Sequence, residues 1–198
     1  PNNVEELRLG GAVGAGKGNF LSNVIYGNAG NNTLDGGAND DIMIGGPGDD
    51  VYKVDNPNDL IIEQPGEGTD RVESTISFDL ASNVENLTLE NIDNITLLGN
   101  GDNTATGNEL ANVLIGNNGN NLLDGRGGND TMQGGLGNDI YIVEEAGDVV
   151  TELLNQGTDL VRTTLTSYTL GSNFENLTLE TGAVNGTGNE LNNVITGN

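Results

Sequence analysis

Between residues 27 and 53 the chain alternates glycine-rich polar segments with short apolar runs. Cut into nines from Gly27, this stretch reads GNAGNNTLD, GGANDDIMI and GGPGDDVYK, and an apolar run lies near the end of each nine. Because side chains alternate across a strand, one residue of each run faces inward while its neighbours face outward. The pattern predicts short strands whose inward residues, Leu34, Met43 and Tyr52, line one interior.

The first six residues of each nine predict a tight turn that also carries oxygen ligands. Glycine permits positive φ and close backbone approach. The sixth position holds Asn32, Asp41 and Asp50 in these three units. Backbone carbonyls and carboxylates are the hard oxygen ligands that Ca²⁺ prefers. Each nine therefore combines a turn, a set of candidate ligands and a strand.

Two of the nines follow one complete glycine motif. Residues 45–52 and 134–141 match the pattern GGxGxDxU in full. Residues 36–43 carry asparagine at the fourth position of the pattern, and residues 125–132 carry arginine at the second. All four units are in phase, and they resemble the calcium-binding nonapeptide repeats of the RTX (repeats-in-toxin) family.

The resemblance implies an all-β fold, a right-handed parallel β-roll or β-solenoid with two nonapeptides per turn. It also implies that each Ca²⁺ lies between successive coils, held by sixth-position aspartates and by carbonyls of the glycine-rich turns. With two nonapeptides per turn, every second sixth-position residue stacks on the same edge. Asn23, Asp41 and Asp59 then form one row, and Asn32 and Asp50 form another.

A longer repeat organises the whole chain. The segment GNFLSNVIYGN from Gly18 recurs as GNELANVLIGN from Gly107 and as GNELNNVITGN from Gly188. The chain begins and ends at equivalent points of this repeat, so we expect a section of a longer array, or ends covered by neighbouring copies. We predict one continuous solenoid section over 1–198, with large repeats 1–83, 84–173 and 174–198, glycine-rich tracts at 18–62 and 107–151, and longer coils between the tracts.

Asp and Asn after glycine are also good turn residues, which is the alternative to a ligand role. At Asn32 and Asn121 we predict weaker calcium sites or metal-free asparagine ladders, since an amide offers oxygen without charge. Asp59 and Asp148 are in phase but lack the glycine turn, and for Asp70 and Asp159 the turn interpretation is favoured. The candidate calcium ligands and turn glycines are Asp41, Asp50, Asp130, Asp139, Asp59, Asp148, Asn32, Asn121, Gly36, Gly45, Gly46, Gly48, Gly125, Gly134, Gly135 and Gly137.

The composition indicates that bound cations contribute to the free energy of folding. Thirty acidic and six basic residues give a net charge of −24, with only three Phe and four Tyr. Such a chain repels itself and has little aromatic surface to bury. Several Ca²⁺ ions are therefore the expected cofactors. Nucleic acid is a poor partner for an acidic chain, and no apolar run predicts a membrane span.

The absence of cysteine and histidine excludes disulfides, zinc sites and mechanisms with a Cys nucleophile or His base. Acidic residues recur between copies, whereas a single active site would break the repeat, so we expect no enzyme. No signal peptide is visible at Pro1, and we expect any export signal to lie outside the chain.

These features predict a secreted or cell-surface calcium-binding module that folds on Ca²⁺ binding and has a structural or adhesive role. One alternative is a repeat subunit of an extracellular filament or surface layer that stacks end to end with its own copies. The other is a polysaccharide-binding module attached to a secreted carbohydrate-active enzyme.

Overall fold

The computed structural model describes residues 4–89 and 102–198. All regular secondary structure in these residues is β-strand, so the all-β prediction is confirmed. The chain forms two compact units, Pro1–Glu90 and Asn91–Asn198. The single continuous section and the large-repeat boundaries stay predictions.

The first unit is a parallel β-solenoid. Its strands are β1 (Glu6–Arg8), β2 (Ala15–Lys17), β3 (Val24–Tyr26), β4 (Thr33–Asp35), β5 (Ile42–Ile44), β6 (Val51–Val54), β7 (Leu60–Ile62), β8 (Arg71–Ser74), β9 (Phe78–Asp79) and β10 (Asn86–Leu89). Strands β1, β3, β5 and β7 form one sheet, and β2, β4, β6, β8 and β10 form another. Consecutive strands from β1 to β8 therefore alternate between two sheets, as a coiled chain requires.

The second unit repeats this architecture. Its strands are β11 (Thr104–Thr106), β12 (Val113–Ile115), β13 (Leu122–Asp124), β14 (Thr131–Gln133), β15 (Ile140–Val143), β16 (Val149–Thr151), β17 (Leu160–Thr163), β18 (Ser167–Thr169), β19 (Asn176–Leu179), β20 (Asn185–Thr187) and β21 (Val194–Thr196). Strands β12, β14 and β16 form one sheet, and the odd strands β11 to β17, with β19 and β21, form another. Strands β18 and β20 form a short third sheet.

Strand register confirms two nonapeptides per turn in the tracts. Val24 of β3 pairs with Ile42 of β5, and Ile42 pairs with Leu60 of β7. Hydrogen-bonded positions on successive coils there are 18 residues apart. After each tract the separation lengthens to 20 residues. A longer coil is thus present after each tract, as predicted, whereas the next paired strands, β8 with β10 and β17 with β19, are 15 and 16 residues apart.

Each core is a column of inward side chains, with one buried residue from most three-residue strands and two from each four-residue strand. Leu34, Met43 and Tyr52 are fully buried, as their position in the nines predicts. Tyr141, the counterpart of Tyr52, packs edge-on against Phe174 with ring centroids 5.3 Å apart. The strands are only two to four residues long, so each of them contributes at most two buried apolar side chains. The polar edges of the coils therefore matter for stability.

Candidate metal centres

Sixth-position side chains connect successive coils. The backbone N–H of Asn23 donates to Asp41 Oδ1 at 2.7 Å, and that of Asp41 donates to Asp59 Oδ1 at 3.0 Å. On the other edge, the N–H of Asn32 donates to Asp50 Oδ1 at 2.7 Å. The two rows predicted from the nine-residue spacing are present in the structure.

The second unit contains the same two rows. The N–H of Asn112 donates to Asp130 Oδ1 at 2.8 Å, and that of Asp130 donates to Asp148 Oδ1 at 3.0 Å. The N–H of Asn121 donates to Asp139 Oδ1 at 2.7 Å. Each aspartate thus uses one oxygen to hold the backbone of the preceding coil.

The second oxygen of four aspartates has no partner within the protein. Oδ2 of Asp41, Asp50, Asp130 and Asp139 is buried without a hydrogen bond. An ionised oxygen in this position is costly unless a proton or a cation neutralises it. Carboxylate oxygens are preferred ligands of Ca²⁺, so these four residues fit a calcium ion.

Nonapeptides with asparagine at the sixth position (asparagine units) differ in hydrogen bonding from those with aspartate there (aspartate units), and the sequence did not show this difference. The N–H of Asn28 donates to Asn32 Oδ1 at 2.7 Å, and that of Asn117 donates to Asn121 Oδ1 at 2.8 Å. The turn of an asparagine unit is therefore closed by its own amide oxygen. This geometry favours the asparagine-ladder interpretation of Asn32 and Asn121.

The glycine that opens each aspartate unit makes room for the unpartnered oxygen. A Cβ at Gly36 would lie 2.4 Å from Asp41 Oδ2, and one at Gly45 would lie 2.1 Å from Asp50 Oδ2. Gly125 and Gly134 stand in the same relation to Asp130 and Asp139, each at 2.1 Å. A side chain at these glycines would fill the space in which an ion would lie.

The other motif glycines shape the turn backbone. Gly46, Gly48, Gly135 and Gly137 all have positive φ, between 84° and 139°. The two departures from the motif keep the same conformation, with φ of 73° at Asn39 and 62° at Arg126. Residues other than glycine pay a steric cost there, so these two turns are more strained.

Asp59 and Asp148 are held as turn residues as well as row members. Asp59 Oδ2 accepts from the N–H of Asn56 at 3.3 Å. Asp148 Oδ2 accepts from the N–H of Glu145 at 3.1 Å. Because backbone donors already satisfy both oxygens, these carboxylates have less need of a cation than Asp41 and Asp130.

The sequence favoured Asp70 and Asp159 as simple turn residues, but the structure places both of them in the rows of sixth-position side chains. Both are buried, and Asp70 Oδ1 accepts from the N–H of Asp50 while Asp159 Oδ1 accepts from that of Asp139, each at 2.8 Å. The two extra residues of the longer coil keep each of them in the row.

Sequence reasoning missed two buried glutamates. Glu63 and Glu152 each accept a hydrogen bond from a tyrosine hydroxyl, that of Tyr52 and that of Tyr141. Carboxylate oxygens of Asp50, Glu63 and Asp70 lie within 4.8 Å of one another, and so do those of Asp139, Glu152 and Asp159. Their recurrence at equivalent places in both copies was the signal available in the sequence.

Burial raises the pKa values of the row aspartates and of the two glutamates. Desolvation is the largest cause, and neighbouring acidic groups add to it. The pKa of Asp41, Asp50, Asp130, Asp139 and Asp159 rises to about 6. That of Glu152 rises to about 7 and that of Glu63 to about 8. At neutral pH the calcium-free rows therefore oppose folding.

We expect the calcium-free chain to gain β-structure as the pH falls. A pKa raised in the folded state means that the folded chain binds protons more tightly than the unfolded chain. The resulting stabilisation is complete below the unfolded value of about 4 and is lost as pH rises through about 6 to 8. Circular dichroism in chelator should show more β signal at about pH 5 than at about pH 8. A signal that is constant or increases with pH would contradict these pKa directions.

The fold and the rows define a class of protein, a parallel β-solenoid that stacks carboxylates along the edges of its coils. Residues 17–52 and 106–141 match the family model of the RTX calcium-binding nonapeptide repeat, in four copies. Both segments are therefore RTX repeats that bind Ca²⁺, and the resemblance inferred from the sequence is confirmed. A search of curated proteins found no match. The described residues contain no helix of the length and apolarity that a membrane crossing requires.

Proposed function

We propose that this chain is an extracellular calcium-binding module that folds when Ca²⁺ binds and has a structural or adhesive role in a larger secreted or cell-surface protein. The observation that carries the proposal is the set of buried, unpartnered carboxylate oxygens on Asp41, Asp50, Asp130 and Asp139. Calcium binding by the RTX repeats supports it.

In this proposal the four aspartates are the principal side-chain ligands. Backbone carbonyls of the glycine-rich turns are the natural additional ligands, because Ca²⁺ takes six to eight oxygens. Asn32 and Asn121 contribute less, since their amide oxygens already accept hydrogen bonds from their own turns. Asp59 and Asp148 are secondary for the same reason.

The driving force for folding is neutralisation of the rows. A net charge of −24 opposes compaction, and each short strand offsets it with at most two buried apolar side chains. Binding energy of an ion that needs the coiled state becomes folding energy. Extracellular modules bind Ca²⁺ at about 10⁻⁴ to 10⁻³ M, so folding would follow export to a calcium-rich medium.

The structure bears on the polysaccharide-binding alternative through the tyrosines. Tyr52 and Tyr141 are fully buried and cannot stack on a glycan. The filament or surface-layer alternative requires the same calcium rows and differs in assembly. Electron microscopy of the purified protein with Ca²⁺ distinguishes them: fibres indicate assembly, and dispersed particles that bind a glycan array indicate a carbohydrate module.

Circular dichroism during calcium titration tests the proposed function. The β signal should be largely absent in chelator at neutral pH and should develop cooperatively with Ca²⁺. Magnesium should be much less effective, because it requires near-octahedral geometry and dehydrates reluctantly. A complete β signal in chelator, or an equal response to magnesium, would overturn calcium-coupled folding.

A further inference from the structure

The cluster of Asp50, Glu63 and Asp70 lies where the first tract ends. Its counterpart, Asp139, Glu152 and Asp159, lies where the second tract ends. In each cluster only the first aspartate belongs to the segments that match the RTX repeat; the glutamate and the second aspartate lie beyond them. The nonapeptide motif therefore assigns no role to Glu63, Asp70, Glu152 or Asp159.

Glu63 occupies the column that glycines occupy on the preceding coils. It lies 18 residues after Gly45, the spacing at which positions stack in the tract. A Cβ at Gly45 would lie 2.1 Å from Asp50 Oδ2, 2.2 Å from the Tyr52 hydroxyl oxygen and 2.7 Å from Glu63 Oε1. Three oxygens thus converge on the space left open by Gly45. Glu152 has the same relation to Gly134 in sequence.

Each cluster contains buried oxygens that have no hydrogen-bond partner. Glu63 Oε2 and Asp50 Oδ2 have no hydrogen-bond partner, and neither have Glu152 Oε2 and Asp139 Oδ2. Glu63 is 6% exposed and Glu152 is 4% exposed. The tyrosine hydroxyl binds the other oxygen of each glutamate and so holds its carboxylate in place. A buried carboxylate in this state is costly unless a proton or a cation neutralises it, and a cation beside it is the form that the other two carboxylates of the cluster favour.

We propose that each cluster binds one Ca²⁺ ion in a tricarboxylate site that closes the end of its tract: Asp50, Glu63 and Asp70 in the first unit, and Asp139, Glu152 and Asp159 in the second. The site rests on the calcium-coupled folding proposed above and adds ligands from outside the nonapeptides. Tyr52 and Tyr141 are positioning residues for the two glutamates.

Charge sets the order of binding. The affinity of a calcium site increases with the number of charged ligands. Each cluster has three carboxylates, whereas Asp41 and Asp130 each face a row neighbour whose oxygens are already satisfied by backbone donors. The two tricarboxylate sites should therefore fill at lower calcium concentration than the sites at Asp41 and Asp130.

Terbium luminescence tests the sites in the wild-type protein. Terbium(III) replaces Ca²⁺ at oxygen sites and emits when a nearby excited tyrosine transfers energy to it. The chain has four tyrosines and no tryptophan, and two of the tyrosines contact the clusters. We expect tyrosine-sensitised emission at the first additions of terbium, with loss of most of it in the double variant Tyr52→Phe, Tyr141→Phe. Absent emission, or full emission from the double variant, would overturn the proposal.

Calcium stoichiometry from equilibrium dialysis gives a second reading. The double variant Glu63→Gln, Glu152→Gln should bind about two ions fewer than wild type, one for each cluster. The matched control Glu5→Gln, Glu190→Gln removes the same charge from exposed positions and should keep the wild-type count. An unchanged count in the cluster variant would overturn the proposal.

The terbium measurement retains every wild-type carboxylate, so absent emission still overturns the sites even if the glutamine variant does not fold, and the ion count shows whether the glutamates are ligands. Failure of these sites is distinguishable from failure of the proposed function. A wild-type chain that folds with Ca²⁺, together with a folded Glu63→Gln, Glu152→Gln variant that keeps the wild-type ion count, would retain the proposed function and lose only the tricarboxylate sites.

Discussion

Replacing Gly27 by alanine should destabilise the calcium-bound protein and raise the calcium concentration needed for folding. The new methyl carbon would lie 2.2 Å from the carbonyl oxygen of Gly45 and 2.4 Å from Asn32 Oδ1. The carbonyl belongs to the backbone of the next coil, and it cannot retreat without breaking the sheet hydrogen bonds that set the coil spacing. Overpacking of this kind costs about 1–3 kcal/mol. Thermal unfolding at saturating Ca²⁺ measures the change.

The matched control for this variant is Gly10→Ala. A Cβ at Gly10 has no heavy atom within 4 Å, and neither Gly10 nor Gly27 has positive φ. The control should therefore match wild type in both stability and calcium midpoint. Equal losses from the two alanines would mean that close coil stacking at Gly27 is not the cause.

Replacing Asp41 by asparagine should have opposite effects with and without Ca²⁺. Asparagine occupies the sixth position naturally at Asn32, and its Oδ1 can still accept from the N–H of Asn23. The variant loses a charged ligand, so we expect the calcium midpoint at this site to rise about tenfold, because charge count tunes calcium affinity over decades. In chelator at neutral pH, the variant should form more β-structure than wild type.

The gain in chelator follows from the pKa of Asp41, which burial raises to about 6. Above that pH the wild-type carboxylate is ionised and opposes folding, whereas asparagine stays neutral. The advantage of the variant should therefore vanish below about pH 4, where Asp41 is protonated in both folded and unfolded chains. Calcium titration and chelator measurements by circular dichroism, at both pH values, give the two results.

Asp40→Asn is the control for Asp41→Asn. Asp40 is the adjacent residue, carries the same charge and is exposed to solvent. Its substitution should change neither the calcium midpoint nor the pH dependence by much, since exposed charges are screened. If Asp40→Asn and Asp41→Asn behaved alike, net charge and not the unpartnered oxygen of Asp41 would control folding.

Local periodicity was enough to predict most of the solenoid. Alternation within each nine placed Leu34, Met43 and Tyr52 in the core, because a strand has only two faces. Constant spacing placed Asp41 above Asn23 and Asp50 above Asn32. These relations follow from counting along one chain in a regular coil.

The nine-residue spacing could not show that units with aspartate and units with asparagine at the sixth position differ in hydrogen bonding. It also could not show that the row of Asn32 and Asp50 continues to Asp70. Whether Asn32 closes its own turn depends on where the N–H of Asn28 points. Whether Asp70 stays in the row depends on how the longer coil places its two extra residues. Both features depend on the path of the backbone, which the spacing of residues along the chain does not specify.

The sequence by itself determined the coil, its inward residues and its calcium-binding repeats, because each is periodic and depends on neighbours at one fixed spacing. Only the tertiary structure brought Glu63 beside Asp50, Asp70 and Tyr52, because these contacts join residues at unequal separations across different coils. Where the nine-residue spacing ends, proximity in space is set by the path of the backbone and no longer by the count of residues.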